Sequence, residues 1–136
     1  MAAAPVLDSY ALLTFLRGEP GEDQVATLLE KAGDRDVPVH MTEVNYAEVK
    51  YMVVRKDGAE RWKQVARELP TLPIEFHPAD RRLADVAADV KARYPLSLAN
   101  AFAAALAKER KAELVTGDLE FKRLEKEIKI TWLTTT

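Results

Sequence analysis

The sequence predicts an α/β fold, a three-layer α/β/α sandwich built on a short central parallel sheet. Short apolar runs alternate along the chain with longer stretches whose apolar residues recur every three or four positions. Such alternation implies βαβ units, which set the strands parallel and cover the sheet with helices on both faces. No linker, repeat or low-complexity tract interrupts the pattern, so residues 1–136 are expected to form a single domain.

The elements follow from local signals. Val6-Leu7 is a short strand ending at Asp8-Ser9, and Tyr10 to Arg17 is a helix stopped by Gly18-Glu19-Pro20. Glu22 to Lys31 forms a second helix, with Val25, Leu28 and Leu29 on one face and Gly33 beyond its end. Val37 to Met41 is a strand weakened by Pro38. Thr42 offers an N-cap for a helix reaching Lys56, with Gly58 at its end. Ala59 to Glu68 is another helix, and Leu72 to Phe76 another short strand. In Ala79 to Ala92, Leu83, Val86, Ala87 and Val90 mark an amphipathic helix. Leu98 to Ala107 is Ala-rich and polar only at Asn100, a helix buried on most of its faces. Glu113 to Thr116 is a strand, a short helix runs from Asp118 towards Glu127, and Ile128 to Leu133 is the closing strand.

Composition narrows the function classes. A hydrophobic fraction of 48% with 31% charged residues describes a soluble globular protein. The chain has no cysteine, which excludes disulfides and thiolate metal ligands. Met1-Ala2-Ala3-Ala4-Pro5 lacks the basic and apolar regions of a signal peptide. No stretch reaches the ~18 uninterrupted apolar residues of a membrane span. A cytoplasmic location is the expectation. Twenty basic against 22 acidic residues leave a net charge of −2, which excludes a chain that grips nucleic acid through bulk charge. Local basic surface remains available at Arg17, Lys50, Arg55, Lys56, Lys122 and Arg123, although solvated helix faces are the default for such residues.

In open α/β sheets the ligand site lies beyond the carboxyl ends of the strands. Asp8 ends the first strand there, and Asp118 follows the strand Leu114-Val115-Thr116 and Gly117. Each also has a purely structural explanation as a helix N-cap. Helical spacing places Glu48 on a stripe with Val44, Ala47, Tyr51 and Met52, so its carboxylate projects from the face expected to pack on the sheet. A carboxylate buried there needs a partner, a proton or a cation; a structural ion pair is the competing explanation. Glu43 is better explained as an acid of the first helical turn. Asn100 must be hydrogen-bonded or face a cavity, because a buried unpaired amide costs roughly 1–3 kcal/mol. Carboxylates converging from separate elements form a hard-oxygen site suited to Mg2+ or Mn2+. His40 and His77 show no ligand spacing, which argues against zinc; His40 is expected at a strand end and His77 in a loop.

These segments carry a family resemblance. Val6-Leu7-Asp8-Ser9, Asn45-Tyr46-Ala47-Glu48-Val49, Tyr94 to Phe102 and Thr116-Gly117-Asp118-Leu119-Glu120-Phe121 resemble the motifs of PIN domains, in particular the VapC-type toxins of toxin–antitoxin pairs. The motifs stand in the family's order, and the resemblance covers essentially the whole chain. It implies a PIN-like α/β/α fold and a metal-dependent endoribonuclease that hydrolyses RNA with a metal-activated water. The family's acidic residues carry over as Asp8, Glu48 and Asp118, with Asn100 where the family has aspartate and Ser9 and Thr116 at supporting hydroxyl positions. An asparagine offers a cation one neutral oxygen but no charge and no base. Weaker metal binding and reduced cleavage follow, unless Asn100 serves only to hold the helix turn capped by Ser97.

The resemblance further implies an RNA substrate, a cognate antitoxin and a homodimer. Leu12, Leu13, Phe15, Leu16, Val53 and Val54 exceed one buried stripe and suit either a docking groove or plain core. Two other α/β classes fit less well: a phospho-accepting receiver domain and a haloacid-dehalogenase-type phosphatase would each need a second acid near Asp8, which Ser9-Tyr10 does not supply. The remaining alternative is a non-catalytic PIN-like module that binds RNA or an antitoxin without cutting.

Overall fold

A computed structural model describes residues 3–134; Met1 and Ala2, part of the opening stretch considered for a signal peptide, lie outside the described residues. Within that range a five-stranded, wholly parallel sheet has the order β3-β2-β1-β4-β5. The strands are β1 (Val6–Leu7), β2 (Val39–Thr42), β3 (Ile74–His77), β4 (Leu114–Thr116) and β5 (Ile130–Trp132). The helices are α1 (Ser9–Arg17), α2 (Glu22–Arg35), α3 (Glu43–Asp57), α4 (Ala59–Glu68), α5 (Arg81–Arg93) and α6 (Leu98–Arg110), with 3₁₀ segments at Leu69–Thr71 and Leu119–Leu124. The expected α/β/α sandwich is the architecture observed.

Side-chain alternation along the strands divides the core in two. Val6 and Leu114 face α5 and α6, whereas Leu7, Val39, Met41 and Val115 face α1, α2, α3 and α4. From Asn100 to Ala107 every residue of α6 is buried, and its alanines let the helix backbone approach β1 and β4 closely. Most of the surplus apolar residues belong to the core: Leu12, Leu13, Leu16 and Val53 are buried, while Val54 is exposed.

Three sequence expectations shift. The second helix runs through Gly33 to Arg35, and Asp36 takes the left-handed position at φ 54°, one that a short polar side chain tolerates. The segment after β4 is a six-residue 3₁₀ helix. On α3 the buried stripe is Asn45, Val49 and Val53, so the expected stripe is rotated by about 100°, the turn of one residue. Tyr51 is therefore exposed, and Glu48 stands half-buried at the rim of the α3 packing surface.

The turn after β4 is shaped by a close approach. A Cβ on Gly117 would lie 2.3 Å from Tyr10 Cε1 and 2.7 Å from Cζ. Gly117→Ala is expected to push the Tyr10 ring aside at a cost of about 1–3 kcal/mol. Urea unfolding of the single and double variants should show Tyr10→Ala relieving that cost; additive losses would mean the ring does not set the requirement.

Candidate metal centre

The chain leaves β1 towards β2 on one side and returns to β4 on the other, so the sheet's topological switch lies between β1 and β4. Connections diverge there and leave a crevice at the carboxyl ends of the strands. Asp8 follows β1 directly, and Asp118 stands two residues beyond the end of β4. α3 contributes Glu48 and the first turn of α6 contributes Asn100, so the structure brings Asp8, Glu48, Asn100 and Asp118 to one cavity of about 200 Å³.

Hydroxyls fix the acids. Asp8 is 1% exposed; its Oδ1 accepts the Ala11 N–H at 2.9 Å, capping α1, and its Oδ2 accepts the Thr116 hydroxyl at 2.5 Å. The same Thr116 Oγ1 accepts the Asp118 N–H at 3.0 Å, so one hydroxyl aligns both aspartates. The N-cap explanation and the crevice position hold together for Asp8, and likewise for Asp118, whose Oδ1 accepts the Glu120 N–H at 2.9 Å. Ser9 donates to Glu48 Oε1, and the Tyr51 hydroxyl lies 3.4 Å from Oε2.

Asn45 and Glu120 were not among the expected site residues. Asn45 is fully buried and donates to Ser9 Oγ and to the Ala99 carbonyl, each at 3.2 Å, while accepting the Thr42 hydroxyl at 2.5 Å. It ties α1, α3 and α6 together at the crevice, and its only signal in the sequence is a polar residue on the true buried stripe of α3. Glu120 Oε1 accepts the Ser97 N–H at 2.8 Å and the Asn100 Nδ2 at 2.7 Å. A second acid two residues beyond Asp118 was the available cue.

Asn100 faces the acids with its nitrogen. Nδ2 donates to Asp118 Oδ2 at 3.0 Å as well as to Glu120, while its backbone N–H meets Ser97 Oγ at 3.1 Å. The amide thus holds two carboxylates together, where an aspartate would repel both. Glu120 thus stands behind Asn100 and Asp118, outside the residues that line the cavity.

Among the described residues no lysine or arginine forms an ion pair with Asp8, Glu48, Asp118 or Glu120. Burial therefore pushes the Asp8 carboxyl up to about 7, with smaller upward contributions from Asp118 and Glu48, against the lowering effect of the Thr116 and Ala11 hydrogen bonds. Hard-oxygen donors without a cationic partner fit Mg2+ or Mn2+. The acids are spread too widely for any three to bring ligand atoms within 4.8 Å of one another among the described residues. That spacing suits an ion that keeps several of its waters, as Mg2+ does.

An α/β/α sandwich with a carboxylate crevice at its switch point defines a class of fold and site. The PIN domain family model matches residues 6–127, and the chain belongs to that family. No curated protein matches the sequence. Among solved structures, the chain is similar to one in the Rickettsia felis VapBC2 complex bound to a DNA fragment from its promoter (TM-score 0.75, 16% identity, covering 95% of this chain and 98% of that one). It is also similar to one in the DNA-bound VapBC of Salmonella typhimurium (TM-score 0.74, 19% identity, 96% and 98% covered). A third is VapC20 of Mycobacterium tuberculosis, a sarcin-ricin loop cleaving toxin (TM-score 0.68, 12% identity, 88% and 93% covered). At these identities the likeness is one of fold. Among the described residues no helix is long and apolar enough to cross a membrane.

The Asp8 shift has a defined sign. Its carboxyl is raised from 3.8 to about 7, so the stability it confers is complete below about pH 4 and lost as pH rises to about 7. His40 and His77 are lowered and act in the opposite direction, so a difference between variants isolates the aspartate. In metal-free protein, wild type should lose stability relative to Asp8→Asn by roughly 1 kcal/mol per pH unit across that window. Urea unfolding measures the difference; a gap independent of pH would remove the raised carboxyl from the account.

Proposed function

We propose that the chain is a Mg2+- or Mn2+-dependent endoribonuclease, the toxin of a type II toxin–antitoxin pair. The observation that carries this reading is the buried Asp8 set beside Glu48 and Asp118 with, among the described residues, no lysine or arginine paired to them. Asp8, Glu48 and Asp118 would hold the ion; when bound, it supplies a lowered pKa for water and charge stabilisation at a phosphodiester. Thr116 orients Asp8 and Asp118, and Ser9 orients Glu48. Asn100 contributes an amide, so it adds neither charge nor a base.

The VapBC complexes of similar fold support an antitoxin partner, and the toxin that cleaves the sarcin-ricin loop supports an RNA substrate. A groove of about 260 Å³ runs from the crevice between α1 and α3, sharing Tyr10, Leu13 and Met52 with it and bordered by Arg17 and Lys56. An antitoxin segment lying there would close the crevice to RNA. A homodimer and a cytoplasmic location complete the proposal.

Mn2+-dependent cleavage of a panel of structured RNAs tests the reading. Wild type should cut and Asp8→Ala should not, whereas RNA binding without cleavage by wild type would favour the non-catalytic module. Asn100→Asp supplies the missing charge, and Mn2+ affinity and cleavage are expected to rise about tenfold, equivalent to about 1.4 kcal/mol. Unchanged affinity and rate would show that the amide does not limit the site.

A further inference from the structure

We propose a second metal site, distinct from the crevice, at the β2–β3 edge of the sheet: a His40–Glu75–His77 triad that takes a borderline divalent ion such as Zn2+. The parallel register pairs His40 with Glu75 and Thr42 with His77. Alternation along β3 puts Glu75 and His77 on one face. That face is the one covered by α5 and α6, since His40 also pairs with Val6 of their core.

The donor atoms converge. His40 Nδ1 lies 2.8 Å from His77 Nε2, and His77 Nε2 lies 3.3 Å from Glu75 Oε2. Among the described residues this is the one group of three histidines or acids with ligand atoms all within 4.8 Å of one another. Two imidazole nitrogens and one carboxylate oxygen are a donor set that selects Zn2+, Co2+ or Ni2+ over Mg2+. Burial, with Arg110 and the neighbouring ring, keeps His40 a free base at neutral pH, the form that binds metal.

The site has an entrance and room to adjust. A cavity of about 190 Å³ opens beside His77 between the start of α5 and the end of α6 and gives solvent access to that ligand. Nitrogens sharing a tetrahedral ion stand ~3.3 Å apart, so the pair must open by roughly 0.5 Å. His77 closes an edge strand and the Glu75 side chain is 54% exposed, so both can move that far. On binding, each ring keeps its one N–H on the outward nitrogen, His40 on Nε2 and His77 on Nδ1. Arg110 opposes the cation, but it is exposed at the last residue of α6, where solvent screens it. Without an ion the two rings are a hydrogen-bonded pair closing the sheet edge, and that structural role predicts no metal response.

Co2+ titration of the Asp8→Asn/Asp118→Asn double variant tests the site with the crevice disabled. One equivalent should give the visible absorption of a low-symmetry four-coordinate ion, competed by Zn2+ and not by Mg2+. His77→Ala and Glu75→Gln, each added to that background, should weaken binding by at least the ~10–100-fold that loss of an outer-sphere partner costs. Arg110→Ala should tighten it. If His77→Ala misfolds by circular dichroism, Glu75→Gln decides, because its exposed carboxylate has no role in packing. Absence of the absorption in the double variant, or its persistence in Glu75→Gln and in folded His77→Ala, overturns the site. Mn2+-dependent RNA cleavage by wild type is scored separately, so failure here leaves the crevice reading intact.

Discussion

A carboxylate that is 1% exposed and, among the described residues, paired with no lysine or arginine imposes its requirements on everything around it. Burying such a group ionised is prohibitive, so Asp8 takes a proton or awaits a cation. The fold meets the cost in part with local donors: the start of α1 supplies the Ala11 N–H, and the end of β4 supplies the Thr116 hydroxyl. Because that hydroxyl also receives the Asp118 N–H, the β1–β4 pairing and the alignment of the two acids are one structural fact. Asn45 extends the same network to α3 and α6, so the three helices around the crevice share its hydrogen bonds.

What was legible in the sequence was what local order determines. Asp8 and Asp118 stand at strand ends whatever the finer packing, and the strand–helix alternation is enough to put those ends together. Glu48 was identified for a reason the structure corrects: it lies at the rim of the stripe, not within it, and its hydrogen bond to Ser9 holds it there. The contacts of Glu120 with Ser97 and Asn100 join positions 23 and 20 residues apart, which local spacing does not reveal. The contact between His40 and His77 depends on strand register, which no spacing along the chain reveals across 37 residues.

Asn100 acquires a different meaning in this setting. As a substitute for a ligand it is a loss, yet its nitrogen relieves the repulsion between Asp118 and Glu120. The position in α6 therefore serves to hold Asp118 and Glu120 together rather than to add charge to the crevice. The hard-oxygen crevice and the imidazole-bearing sheet edge would then take different ions, separated by donor chemistry.

The central claim is that a divalent cation takes the place of the proton on Asp8. Calorimetric titration of Mn2+ below pH 7, in two buffers of different ionisation enthalpy, counts the protons released on binding. The account predicts about one proton per ion in wild type and about none in Asp8→Asn, which should also bind more weakly. Binding that releases no proton in wild type, or that is unchanged in Asp8→Asn, would contradict it.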